Sequence, residues 1–205
     1  MCTPLLGVIF QSIIIIIIII NNNKNNFYYY NNKRYPGFME NPYSHASPFY
    51  HLLEEKAIDR IIQIGLRDLT PEQREIKEKF NKKLSVIEMP ELFGNDALQV
   101  ISKKCGEFLQ KCKDEKITKF YVSIDVDVLD PAYAPGVSHI EPGGLTSREL
   151  FSALDILFYD KKLAQECIIG CDVVEYNPRN DVNFVTAFVS ARILRRLGAL
   201  IQTRK

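Results

Sequence analysis

The sequence predicts an α/β protein, a mainly parallel sheet held between two layers of helices. Three observations carry this. From about residue 43 to the C-terminus, short apolar runs alternate with helical patterns, which implies strands joined by crossover helices. The run RIIQIGL at 60–66 is almost continuously apolar, as a parallel strand covered on both faces must be. Two helices announce their starts with capping boxes, Thr70 with Gln73 and Thr146 with Glu149.

The elements follow in order. Residues 49–56 read as a short helix after Pro48, and 60–66 as the first buried strand. Thr70 caps a helix to about residue 83, with Pro71 at its first position, where the missing N–H costs nothing. Residues 84–89 form the next strand, stopped by Pro90. In 96–113 the apolar positions Leu98, Ile101, Cys105, Phe108, Leu109 and Cys112 recur at steps of three and four, so they share one helical face. Cys105 and Cys112 are expected there as small core residues. Residues 120–129 form the third strand. Leu150, Phe151, Leu154, Leu157 and Phe158 are the buried stripe of the helix after Thr146. Residues 167–175 are the fourth strand, and 184–201 the final helix.

Composition narrows the function classes. The chain has 205 residues, 46% hydrophobic and 25% charged, with a formal charge of +1. No basic surplus speaks for nucleic acid. Five cysteines form no CxxC pair, so neither a disulfide framework nor a structural zinc site is expected. The expected setting is intracellular, cytoplasmic or mitochondrial. From residue 13 to 33 every residue is Ile, Asn, Lys, Phe or Tyr, including eight consecutive isoleucines, Ile13 to Ile20. Such a run has no period and specifies no register. It predicts disorder or a sticky β-prone strand. The apolar stretch from Leu5 to Ile20 is shorter than a membrane span, and Met1–Gly7 lacks the basic start of a signal peptide, which leaves a signal anchor as the minor alternative. The residue types of 13–33 all have codons of A and T alone, as in-frame AT-rich sequence would. Residues 1–42 are therefore expected outside the core, dispensable to a folded domain at 43–205.

In such sheets chemistry gathers beyond the carboxyl ends of the strands. The third strand reads YVSIDVDVLDP. Alternation puts Asp125 and Asp127 on one face, about 7 Å apart at Cα. Two like charges there need a neutralising partner, either a divalent cation such as Mn²⁺ or Mg²⁺ or nearby basic groups and loop donors. Asp130, before Pro131, is expected to form a turn. The loop PAYAPGVSHIEPGG is expected to be a rigid wall; His139 in it reads as ligand, base or hydrogen-bonding bystander. On the fourth strand, CIIGCDVVEYNP, Glu175 falls at the carboxyl end, fit for a cation or a cationic substrate group. Asp172 lies deeper and is expected to be structural.

These stretches resemble the ureohydrolase family of arginases and agmatinases. SIDVDVLDPAYAPGVSHIEPGGLT is similar to its S-x-D-x-D-x-x-D-P-x-x-A-P-G…P-G-G signature, and DVVEYNP to its D-x-x-E-x-N-P block. YSHASPFYHLLEEKAIDRIIQIGLRD resembles the segment after the metal-binding centre, in the form of plant-type arginases. The resemblance runs over roughly four fifths of the chain. It implies the C-terminal part of the three-layer α/β/α arginase fold. It implies two Mn²⁺ ions that activate water against a guanidinium carbon, releasing urea. By motif, Asp125 and Asp127 are metal ligands, Glu175 holds the guanidinium, and His45 passes a proton to the leaving amine. Asp68, in GLRD, could help bind a substrate amino group.

The departures are as informative. The family's G-G-D-H-S and D-A-H-x-D blocks, which carry its other metal ligands, are absent, so two of six ligands remain. The isoleucine and asparagine tract stands where D-A-H-x-D should. With the first strands also missing, an apolar sheet edge is expected to lie uncovered. The leading expectation is an N-terminally incomplete, Mn²⁺-dependent enzyme converting arginine to ornithine and urea, inactive as a truncated chain. The alternatives are an agmatinase feeding polyamine biosynthesis, a non-catalytic pseudoenzyme or regulatory subunit, or a mis-spliced product. The expected partner is a small guanidine substrate, with no nucleic acid and no membrane. Family resemblance adds a homo-oligomer, trimer or hexamer.

Overall fold

The computed structural model describes residues 15–20, 48–67, 69–94, 96–158 and 167–202. In chain order these form β1 (Ile15–Ile20), α1 (Pro48–Glu54), β2 (Ile58–Leu66), α2 (Pro71–Lys79), β3 (Leu84–Glu88), α3 (Ala97–Asp114), β4 (Phe120–Asp125), α4 (Ser147–Leu157), β5 (Ile168–Val174) and α5 (Val185–Gln202). Both capping boxes close as expected. Gln73 and Glu149 receive their caps' backbone N–H groups, while Thr70 and Thr146 accept from the third helical residue. Asp96 caps α3 by accepting from the N–H groups of Leu98 and Gln99.

The five strands lie in the order β3-β2-β1-β4-β5. Pairs β2–β3 and β4–β5 are parallel, and β1 runs antiparallel to both its neighbours. The expected mainly parallel sheet is therefore present, with one reversed strand at its centre. That strand is the isoleucine run. Ile17 pairs with Ile62 on one side and Val122 on the other. This part of the low-complexity segment belongs to the sheet, unlike the expectation that set it outside the core. The physical reason is composition. A β-branched run apolar on both faces meets the demand of a central strand, and the neighbours supply the register the run lacks. The remainder of 1–42 lies outside the described residues.

Two clusters of buried residues pack on the sheet. Ile62, Ile64, Ile87, Val122 and Ile124 pack with Ile101, Cys105 and Phe108 of α3, Leu150 and Leu154 of α4, and Ile193 and Leu197 of α5. Ile58, Ile61, Leu66 and Leu84 pack with Leu53 and with partly buried Phe49, Leu52 and Phe80. A bulge at Gly65 (φ 98°) interrupts the β2–β3 register, so Leu66 joins the face of Ile61 rather than that of Ile64. Cys105 and Cys112 are buried and free, as core residues should be, and burial pushes both thiols up to about 12. Beside the edge strand β5, Ile169, Val174, Phe184 and Phe188 are exposed.

Candidate metal and substrate site

The third strand ends earlier than alternation predicts. β4 stops at Asp125, and Val126–Val128 form a 3₁₀ turn. The cause is Asp125 itself, whose Oδ1 accepts the backbone N–H of Asp127 at 2.9 Å and caps that turn. Asp125 and Asp127 thus do not stand in register on one strand face. Asp127 rides on the turn, buried to 5% exposure, and its Oδ1 has no hydrogen-bond partner.

The loop after the turn is a wall built from fixed contacts. Asp130 accepts the N–H groups of Ala132 at 3.0 Å and Gly143 at 2.9 Å, the turn-forming part expected of it. Those donors hold its carboxyl below the ordinary range. Leu129 bridges Leu145, so the loop closes on its own base. At Gly144 a Cβ would strike Arg67 Nη1 and the backbone of Leu129 and Asp130, so only glycine fits. Farther along, Val137 bridges Tyr176 and the Asn177 N–H donates to the Gly136 carbonyl at 2.8 Å. Asn180 Nδ2 donates to the Val137 carbonyl at 2.6 Å. His139 is thereby held between two anchored stretches, one on β4 and one on the exit of β5.

Glu175 follows the last residue of β5 and adopts φ 65°, a left-handed conformation rare for a residue with a Cβ. Such strain persists where the surroundings fix a residue for a purpose. Asp127, His139 and Glu175 each offer a ligand atom, and these atoms all lie within 4.8 Å of one another. Asp125 is not in this group. The crowded acidic groups act on one another. Burial, then Asp127 and Glu175, drive Asp125 well above the carboxylate range. Burial and Glu175 push Asp127 up to about 7.

One nearby residue has no counterpart in the sequence reading. Arg67, 6% exposed, donates from Nη2 to the Asp127 backbone carbonyl at 2.6 Å, while its Nε and Nη1 find no partner. Its guanidinium faces Glu141, Asp127, Asp130 and Asp125. It offsets part of the acid charge without bonding the Asp127 carboxylate. The signal was available, since Arg67 directly follows an apolar strand, the position used to single out the carboxylates. Asp172 accepts the Tyr121 hydroxyl at 2.8 Å, the structural part expected of it. His45 and Asp68 lie outside the described residues.

A buried carboxylate, a loop imidazole and a glutamate in the left-handed region stand together at the strand ends of a mainly parallel sheet, in an α/β protein with a group of side chains that could hold a metal ion. The sequence profile of the Arginase family matches residues 31–199, and the chain belongs to that family. It is 40% identical over 170 residues to mitochondrial arginase 1 of Arabidopsis thaliana, covering 82% of this chain and 44% of that protein. Among solved structures it is similar to the arginase of Medicago truncatula, with TM-score 0.62 and 38% identity, covering 80% of this chain and 47% of that one. Formimidoylglutamase of Bacillus subtilis matches with TM-score 0.62 and 30% identity over 77% of this chain and 46% of its own. The chain thus spans less than half the length of these relatives.

Proposed function

We propose that residues 43–205 carry the Asp- and Glu-bearing part of a Mn²⁺-dependent guanidine-cleaving ureohydrolase, with arginine as first substrate and agmatine as second. The observation that carries this is the unpartnered, buried Oδ1 of Asp127 beside Glu175 at the strand ends. The donor set suits a hard or borderline divalent ion, so the residues fit the metal that the family implies. Asp125 and Asp127 would hold it, and when bound it would supply Lewis-acid activation of water at neutral pH. Glu175 binds the guanidinium by charge-assisted hydrogen bonds, and its strained backbone keeps the carboxylate from relaxing away. Arg67 sets the charge balance behind Asp127. His45 moves a proton to the leaving amine.

Arginine stands first because the plant proteins that match this chain are named arginases. Their mitochondrial name supports an organellar setting, and no helix among the described residues is long and apolar enough to cross a membrane. A homo-oligomer is part of the same reading. Equilibrium binding of arginine and agmatine in saturating Mn²⁺, with the parent and Glu175→Gln, tests the proposal. Binding of arginine that weakens roughly tenfold or more in Glu175→Gln supports it. No guanidine binding, or binding indifferent to Glu175, leaves the non-catalytic reading, a partner of an intact relative.

A further inference from the structure

The sheet has two edges, β3 and β5, and they are guarded differently. The β3 edge is short and charged. Lys83 precedes it, Glu88 ends it in an ion pair with Lys77 of α2 at 2.6 Å, and Pro90 follows. Such features keep an edge strand from pairing with another chain. On β5, IIGCDVV, the single charge is Asp172, and its carboxylate is turned back to the Tyr121 hydroxyl of β4. No strand among the described residues lies beyond β5, and Ile169 there is 47% exposed.

The helix that packs on this strand, α5, is open on one flank. Its successive residues step by about 100° round the axis. Ile193 and Leu197 point into the core. Arg192 lies over the Phe151 ring at 4.7 Å and Arg196 pairs with Asp155, so their flank meets α4. The flank on the other side of the core stripe carries Ala187, Ala191, Leu194 and Gly198. Leu194 is 49% exposed, and a Cβ placed on Gly198 would meet nothing within 4 Å. Strand edge and helix flank thus form one apolar margin.

We propose that two copies of this chain join β5 to β5, antiparallel about a two-fold axis at Cys171, into one continuous sheet. The occupant of the margin is a second copy because the margin complements itself. Residues opposite each other in a strand pair share a face, so the axis falls on a residue. At Asp172 it would set two carboxylates opposite each other, and at Gly170 it would leave Val173 and Val174 unpaired. At Cys171 it pairs the whole strand, Ile168 to Val174, and sets each Gly170 against Asp172 of the other copy. An axis perpendicular to the sheet keeps both α5 helices on one face. Their small residues let the two flanks approach to the usual helix spacing of about 8–10 Å. The paired surface has fewer residues than the roughly 20–30 a side of a standard interface, so the dimer is reversible. It is two-fold, unlike the trimer or hexamer expected from family resemblance. It needs neither metal nor guanidine, so its test is separate from that of the proposed function.

Sedimentation equilibrium of the 205-residue chain over a wide concentration range tests it. Expected is a monomer–dimer equilibrium, weakened at least ~10-fold in Ile169→Lys and in Leu194→Arg, both at exposed positions. Phe93→Ser, at an exposed residue that follows β3, should dimerise like the parent. The register is read on the parent, so it stands even if a variant misfolds. Cys171 is a free thiol, and Cα atoms of opposed residues lie about 4.5–5.5 Å apart, within disulfide reach. Diamide, an oxidant that takes up the two thiol hydrogens, should therefore link Cys171 to Cys171 across the dimer. Peptide mass spectrometry identifies the bond, and Cys171→Ser should abolish it. A chain that stays monomeric at every concentration overturns the proposal and leaves β5 to another segment or a different protein. Assembly beyond two copies, a dimer indifferent to both variants, or a dimer that yields no Cys171–Cys171 bond overturns it as well.

Discussion

Asp125 Oδ1 accepts the backbone N–H of Asp127 at 2.9 Å, so the first aspartate of the D-x-D pair caps the turn that carries the second. The two carboxyls are therefore coupled through the backbone as well as through charge. Replacing Asp125 changes where Asp127 stands, not only how much negative charge the cleft holds. Asp125→Asn retains an oxygen that can accept the same bond, whereas Asp125→Ala removes the cap. Without metal, Asp125→Asn should be at least as stable as the parent, because it sheds a buried like charge. Asp125→Ala should be less stable than Asp125→Asn by about 1 kcal/mol. Denaturant melts of the three proteins with chelator check the order, and equal stability of the two variants would count against the cap.

The metal-free protein should lose stability as pH rises from about 4 to about 7. Unfolded aspartates release their protons near pH 4. Folded Asp127 keeps its proton to about 7, and folded Asp125 titrates well above the ordinary range. Between those limits the native state binds more protons than the unfolded chain, so stability falls with rising pH, and the Asp127 share of the loss is complete above about 7. Acids held low by donors, Glu115 and Asp181 among them, act in the opposite sense but below that window. Melting temperatures in chelator from pH 4.5 to 8 should fall in the parent and flatten in Asp127→Asn. A rise across that range would contradict the assignment.

Glu175 at φ 65° separates the side chain's function from its backbone cost. Glu175→Gln removes the charge and keeps the strain. Glu175→Gly removes both. Glycine should therefore be the more stable variant by about 1 kcal/mol, a shift of roughly 2–4 °C, although it deletes more of the side chain. A glycine variant that melts below the glutamine variant would show that the conformation is not strained.

The isoleucine strand makes a prediction that needs only its backbone. Ile17 lies between Ile62 and Val122 in the middle of the sheet. Proline there removes a ladder donor where no edge is available. Ile17→Pro should lower the melting temperature by roughly 10 °C. Deleting residues 1–20 should do at least as much, opposite to the dispensability expected from the composition of the tract. Unchanged melting in both would return the run to the outside of the core.

Assayed as the 205-residue chain with saturating Mn²⁺, the protein should release urea from arginine or agmatine far below an ordinary enzymatic rate. By the family resemblance, the motifs present would supply only two of six ligands. Turnover at an ordinary rate would show that the missing donors come from residues not recognised by motif.

What the sequence revealed depended on whether a feature was local. The capping boxes at Thr70 and Thr146 were legible because each is decided within four residues. The alternation of strands and helices was legible because periodicity is also local. The turn at Asp127 was not. Strand alternation was extended through 126–128, and the competing bond from the Asp127 N–H to Asp125 ended the strand. The place of the isoleucine run was hidden because a homopolymer carries no register of its own. Only β2 and β4, distant in sequence, fix it. His139 was left open between ligand, base and bystander, and Arg67 was missed, for the same reason. Each gains significance only when another strand end arrives beside it.

If folding brings Asp125, Asp127 and Glu175 together to hold a divalent cation, thermal unfolding with and without Mn²⁺ reads it most directly. An ion bound by the native state alone raises stability by mass action, about 2.7 kcal/mol at one hundred times its dissociation constant. Millimolar Mn²⁺ should raise the melting temperature of the parent by several degrees and leave the Asp125→Asn, Asp127→Asn double variant unmoved. Without metal, that double variant should melt no lower than the parent. If Mn²⁺ stabilises parent and double variant alike, or if the double variant is strongly destabilised without metal, Asp125 and Asp127 are structural groups and the cation site is not there.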